Sequence, residues 1–154
     1  MKREYLGEIK GTIINQQTIG NVEKNTKFGI YGSLNNISVL NIDISKRYKV
    51  ATRNEIQEGR AKVICSIDNK QAKEYDINIE KIYLNNNSDN KSMLIKIVDD
   101  DLLEKTGGII RGLSGAPIIQ NDKFIGVVTN VLVSDPSIGY AIFGDLMIKQ
   151  MKSN

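Results

Sequence analysis

The sequence predicts an all-β fold, a sandwich or barrel of short strands, formed by one domain over residues 1–154. Apolar and polar residues alternate with a period of two in seven short runs, as half-buried strands do. The runs cover residues 8–14, 27–31, 60–67, 75–84, 93–98, 124–133 and 140–143. Many of the 13 glycines fall at or between these runs, where a barrel has to turn its corners.

Two short helices complete the predicted fold. One covers 101–105, with Asp101 as its N-cap and Glu104 three residues later. The other covers 145–151 near the C-terminus, where apolar side chains such as Leu146 can dock on the barrel. The polar run 85–90 is predicted to be a flexible surface loop.

Composition and charge argue against several functional classes. The net charge of +3 is spread along the chain without a basic stripe, so we expect no nucleic-acid partner. Cys65 is the only cysteine, which rules out an intrachain disulfide, and its alternation with Val63 and Ile67 favours core packing. No apolar run reaches membrane-spanning length and the start does not resemble a signal peptide, so we expect no direct membrane contact.

The chain contains no histidine. Histidine is the commonest metal ligand and the commonest general base at neutral pH. We therefore expect no metal and no other cofactor, and any hydrolytic chemistry in this chain lacks its usual base.

The glycine-rich segment 107–119 is the part of the chain that indicates chemistry. A nucleophilic serine needs a tight turn that exposes its hydroxyl and amides that point at the oxyanion. Gly112 and Gly115 flank Ser114 and give the backbone that freedom. We predict Ser114 as the nucleophile, with the N–H groups of Gly112 and Ser114 as the oxyanion hole. Taken alone, Gly-Leu-Ser-Gly would be better interpreted as an ordinary glycine-rich turn between two strands, because such tetrads are common by chance.

The residues after Ser114 support the catalytic interpretation. A strand over 117–119, a hairpin turn over 120–123 and a returning strand from 124 follow directly. The next residues, Thr129, Asn130 and Val131, are predicted to lie beside the cleft, where an extended peptide could add as a further strand.

Long stretches of the sequence resemble the SpoIVB peptidase family of endospore-forming bacteria. The resemblance runs through 102–121, continues over 125–133, 135–136 and 139–140, and includes the upstream segment 21–32. It implies a trypsin-like, chymotrypsin-type β-barrel with an incomplete first barrel and a short C-terminal helix.

The resemblance also implies a function. Family members are sporulation serine endopeptidases that cleave a partner protein between the two membranes around the forespore and so trigger processing of a late sigma factor. The family's serine matches Ser114. Its aspartate lies fifteen residues earlier, which gives Asp99, whereas spacing alone would not distinguish Asp99 from Asp100 and Asp101.

The chain differs from the family pattern at the two positions where family members carry histidine. The family's catalytic histidine lies upstream of the region that matches 7–11, and a second histidine is common where Asn130 stands here. We therefore expect a family member without the histidine-bearing N-terminal part, inactive by itself. Barrel edges left exposed would be covered by rearrangement, by a loop or by a second copy of the chain, as a homo-oligomer.

Three functions remain open from the sequence. The first is the core of a sporulation protease with Ser114 as nucleophile and Asp99 as orienting residue, acting on a protein or peptide substrate. The second is a pseudoprotease whose cleft binds peptides beside 129–131 without cutting them. The third is a scaffold barrel in which Ser114 is incidental.

Overall fold

A computed structural model describes residues 7–10, 18–39, 43, 45–68, 71–85 and 90–152. These residues contain nine strands and two α-helices. The strands are β1 Gly20–Thr26, β2 Gly29–Leu34, β3 Lys49–Val50, β4 Gly59–Cys65, β5 Lys73–Ile82, β6 Met93–Ile97, β7 Pro117–Gln120, β8 Lys123–Leu132 and β9 Asp135–Phe143. The helices are α1 Asp100–Thr106 and α2 Gly144–Lys152, and short 3₁₀ turns cover Ile37–Val39 and Arg53–Glu55.

Six strands form a closed antiparallel barrel. Its order is β8-β7-β4-β5-β6-β9, and β9 pairs back with β8 to close the ring. The short strand β3 adds to β8 in parallel. Closure leaves no unpaired edge around the ring, and this agrees with the trypsin-like barrel that the sequence predicts.

The core is built from the apolar residues that alternate along the barrel strands. Because successive side chains of a strand point to opposite faces, one apolar set per strand becomes buried. Leu102 of α1 joins this core. The most completely buried side chains include Ile77, Ile79, Ile95, Ile97, Ile118, Ile125 and Phe143, each at most 1% exposed.

The β1–β2 hairpin forms a separate two-stranded sheet. Within the described residues before Lys49, β1 and β2 are the only strands. The hairpin contacts the rest of the molecule near α2, where the Lys24 Nζ donates to the Gln150 carbonyl at 3.5 Å. A second contact joins Asn90 to the hairpin turn, with the Asn90 Nδ2 donating to the Lys27 carbonyl at 2.5 Å.

Most predicted elements match the structure to within a few residues. The predicted hairpin turn after β7 consists of Asn121 and Asp122, both with positive φ. The second helix is confirmed as α2. The predictions for 11–14 and 86–89 concern residues outside the described part of the chain.

Two predictions need correction. The first helix begins at Asp100, and its N-cap is Asp99 rather than Asp101, because the Asp99 carboxylate accepts from the Leu102 N–H at 3.0 Å. The predicted strand 27–31 is the second half of a hairpin, whose first strand β1 was not predicted. In β1 the only large apolar residue is Val22, so the alternation that signals a strand is missing.

No helix in the described residues combines the length and the apolar character that crossing a membrane requires.

Candidate functional site

Ser114 lies exposed on a tight turn between α1 and β7. Backbone hydrogen bonds hold the turn on both sides of it. The Leu113 N–H donates to the Ile110 carbonyl at 3.2 Å, and the Ala116 N–H donates to the Leu113 carbonyl at 3.0 Å. The Gly115 N–H donates to the Val128 carbonyl of β8 at 2.8 Å, so the turn is anchored to the barrel wall.

The two glycines around Ser114 adopt backbone conformations that side chains rarely reach. Their φ angles are +101° at Gly112 and +93° at Gly115. A side chain at Gly112 would also bring its Cβ to 2.7 Å from the Cβ of Ile9. The turn that exposes Ser114 therefore depends on glycine at these positions.

The backbone amides of the turn fall into two groups. Those of Leu113, Gly115 and Ala116 donate to carbonyls of the chain. Among the described residues, the N–H groups of Gly112 and Ser114 donate to no other group. An oxyanion hole requires N–H groups that the resting protein leaves unused, and these two amides meet that condition.

The Ser114 hydroxyl is held by the neighbouring strand. Its Oγ donates to the Thr129 carbonyl of β8 at 2.8 Å. Thr129 is the extra residue of a β-bulge, since Val128 pairs with Ala141 and Asn130 pairs with Tyr140. A bulge takes a residue out of the ladder and redirects it, which here leaves the Thr129 carbonyl to accept from Ser114.

The segment 129–131 thus lies beside Ser114. Asn130 is exposed, and Thr129 and Val131 are half-buried. A cavity of about 740 Å³ lies next to this segment, lined by Arg111, Val131 and Val133 together with residues of the segment 7–10. Val133 is 83% exposed, so the cavity has an open apolar margin.

Asp99 sits at the N-terminus of α1, and its carboxylate is occupied by backbone amides. One oxygen accepts from the Leu102 N–H at 3.0 Å and the other from the Asp76 N–H at 3.1 Å. The structure therefore brings Ser114, Gly112 and Thr129 together and engages Asp99 in capping. Its role towards Ser114 stays a prediction.

Cys65 packs against the core and does not offer a second nucleophile. Burial, helped by the negative charge of Asp99, raises the pKa of the Cys65 thiol to about 11. A thiol with this pKa is protonated at neutral pH, and the protonated form is a poor nucleophile. Within the described residues, no cluster of three or more cysteine or acidic side chains could hold a metal ion.

The segment 7–10 forms an unpredicted part of the site. Glu8 makes a parallel bridge to Arg111, and the Ile9 N–H donates to the Arg111 carbonyl at 2.9 Å. These contacts fix the residue just before Gly112. The alternation in 8–14 predicted a strand but carried no information about its partner.

The chain matches the family model described as SpoIVB peptidase S55 over residues 1–148. A search of curated proteins found no match.

Proposed function

Since the chain belongs to the SpoIVB peptidase family, whose serine peptidases act on protein substrates, we propose that it is the nucleophile-bearing core of a sporulation endopeptidase. Ser114 is the proposed nucleophile, and the N–H groups of Gly112 and Ser114 form the proposed oxyanion hole. The observation that carries this proposal is the turn itself. It exposes Ser114 between two glycines of positive φ and leaves two nearby amides unused among the described residues.

The proposed reaction is acyl transfer to Ser114. The Oγ attacks the carbonyl carbon of a peptide bond, its proton passes to a base, and the two amides stabilise the negative oxygen. The base then protonates the leaving amine. This chain has no histidine to act as that base. A protease without one triad member retains only about 10³–10⁴-fold catalysis over water. The chain alone is therefore proposed to be nearly inactive until a base is supplied.

The family spacing assigns Asp99 as the orienting carboxylate. Its two oxygens accept from the Asp76 and Leu102 N–H groups, and these bonds fix the side chain at the N-terminus of α1. The peptide is proposed to add as a strand beside Thr129, Asn130 and Val131. As in the family, the proposed substrate is a partner protein located between the forespore and mother-cell membranes, whose cleavage leads to sigma factor processing.

A fluorophosphonate probe tests this proposal directly. The Oγ displaces fluoride from phosphorus and its proton passes to a base, so labelling depends on the same steps as acylation. We expect slow labelling of the wild-type chain, and added imidazole should accelerate it by at least about tenfold by replacing the base. Ser114→Ala should remain unlabelled.

The alternative function is peptide binding without cleavage. The missing histidine favours it, because cleavage needs a base that this chain does not contain in its usual form. Peptide binding to both wild type and Ser114→Ala, with no imidazole-dependent labelling of the wild type, would establish the binding module and exclude the protease.

A further inference from the structure

We propose that Asn90 and Thr129 are positioning residues for the Ser114 hydroxyl, which they connect to the β1–β2 hairpin through three successive hydrogen bonds. The Ser114 Oγ donates to the Thr129 carbonyl at 2.8 Å, and the Thr129 Oγ1 donates to the Asn90 carbonyl at 2.8 Å. The Asn90 Nδ2 then donates to the Lys27 carbonyl at 2.5 Å. This proposal rests on the proposed function, because it takes Ser114 as the nucleophile.

Thr129 controls the direction of the carbonyl that holds Ser114. As the bulge residue it has no partner in the β8–β9 register, so ladder pairing does not fix its peptide group. Its hydroxyl contacts two carbonyls instead, those of Asn90 at 2.8 Å and Tyr140 at 3.2 Å. A β-branched side chain has few χ1 choices, so these contacts also fix the backbone of Thr129.

Asn90 connects the bulge to the hairpin. Its φ of +55° lies in the left-handed region, which asparagine tolerates better than most residues. Its amide nitrogen bonds to Lys27, whereas its buried Oδ1 has no hydrogen-bond partner within the described part of the chain. Within the described residues, Asn90 thus combines a buried oxygen without a partner and a positive φ at the point that bridges hairpin and barrel.

The described residues show one further side-chain hydrogen bond between the hairpin and the rest of the molecule. It is the long 3.5 Å contact between Lys24 and Gln150. A shift of the hairpin turn is therefore transmitted through Asn90 and Thr129 to the Ser114 hydroxyl. A base supplied by another molecule can accept the Ser114 proton efficiently only if the hydroxyl keeps a fixed orientation. Small displacements of a nucleophile lower the reaction rate strongly.

Imidazole-assisted labelling of Ser114 tests the inference. Thr129→Val should lower the maximal labelling rate about tenfold without changing the probe's half-saturating concentration, and Thr129→Ser should restore the rate to within about twofold. Asn90→Gly keeps access to positive φ but removes the amide. It should lower the same rate about threefold or more and speed amide hydrogen exchange in the hairpin.

The control is a destabilised variant elsewhere in the barrel. Gln120→Leu removes the bonds from Gln120 to Gln57 and Arg60, so it should lower the melting temperature without slowing labelling. If Thr129→Val and Asn90→Gly label at the wild-type rate, the inference is overturned. It is also overturned if their labelling rates fall only in proportion to their melting temperatures. Either result leaves the proposed function of Ser114 intact. A wild-type chain that imidazole never activates would instead overturn the proposed function, and the inference with it.

Discussion

At the scale of single residues, Asp99 has a structural role as a helix cap, and the family spacing predicts a catalytic role for it as well. Its carboxylate caps α1 through the Leu102 N–H and also accepts from the Asp76 N–H. The same negative charge helps to raise the pKa of the Cys65 thiol. The two roles can be separated because capping needs only an oxygen acceptor, whereas orienting a base needs the charge.

Substitutions at Asp99 should separate these roles. Asp99→Ala removes both acceptors and should lower the free energy of unfolding by about 1 kcal/mol, the usual value of an N-cap. Asp99→Asn keeps one acceptor oxygen, and asparagine caps helices as well as aspartate does. Its free energy of unfolding should therefore stay within about 0.5 kcal/mol of the wild-type value. Chemical denaturation of both variants provides the measurement.

Imidazole-assisted labelling of Asp99→Asn then tests the catalytic role. If Asp99 orients the base, the variant should label at least about tenfold more slowly despite its intact fold. Labelling at the wild-type rate would leave Asp99 with its capping role only.

Local composition was enough to indicate the serine turn, whereas Asp99 came from family spacing and the segment 129–131 from the order of the predicted strands. Gly112, Ser114 and Gly115 stand close together, and a nucleophile turn needs that composition. Asn90 is 24 positions from Ser114 in the sequence and belongs to a polar run that predicts only a loop. Its bond to Lys27 depends on how the hairpin folds back, which no local pattern records.

At the scale of elements, the β7–β8 hairpin shows how a turn sets the register of the strands around Ser114. Gln120 pairs with Lys123, so the turn has two residues, Asn121 with φ +50° and Asp122 with φ +58°. Two positive φ angles define the type I′ turn, which matches the twist of paired strands. This turn was predictable because its signal is contained in four residues.

Two substitutions of Asp122, the second turn residue, should change the free energy of unfolding in opposite directions. Asp122→Gly should raise the free energy of unfolding by about 0.5 kcal/mol, because glycine adopts positive φ without a steric penalty. Asp122→Ala should lower it by about 1 kcal/mol, because alanine meets that penalty in full. Thermal or urea unfolding gives the comparison, and an alanine variant as stable as the glycine variant would contradict the type I′ assignment.

At the scale of the whole molecule, the fold depends on pairings between distant parts of the chain. The all-β class and the trypsin-like barrel were predictable from short alternating runs and the family resemblance. The parallel addition of β3 to β8 was not, because two residues carry no periodicity. The bridge between Glu8 and Arg111 was not predictable for a different reason: the alternation over 8–14 indicates a strand but does not identify its partner.

The attachment of the β3 region to the barrel should make the stability of the whole molecule sensitive to acid. Glu55 forms an ion pair with Lys123 at the start of β8 and accepts from the Thr52 N–H at 2.8 Å. The bond from Lys123, followed by those from Thr52, lowers the pKa of Glu55 from 4.5 to about 2. A carboxylate with a lowered folded pKa stabilises the protein above its unfolded pKa and loses that contribution as the pH falls towards the folded value.

Glu55→Gln isolates the contribution of the carboxylate charge. Glutamine can still accept a hydrogen bond from Thr52 but cannot form an ion pair with Lys123. We expect the variant to be less stable than wild type at pH 6 to 7, with the difference shrinking between about pH 4.5 and pH 2. Urea unfolding across that range measures the difference. A double-mutant cycle with Lys123→Gln assigns it to the pair, because the coupling free energy should fall over the same interval. A coupling that stayed constant from pH 6 to pH 2 would show that the charge of Glu55 does not hold this region to the barrel.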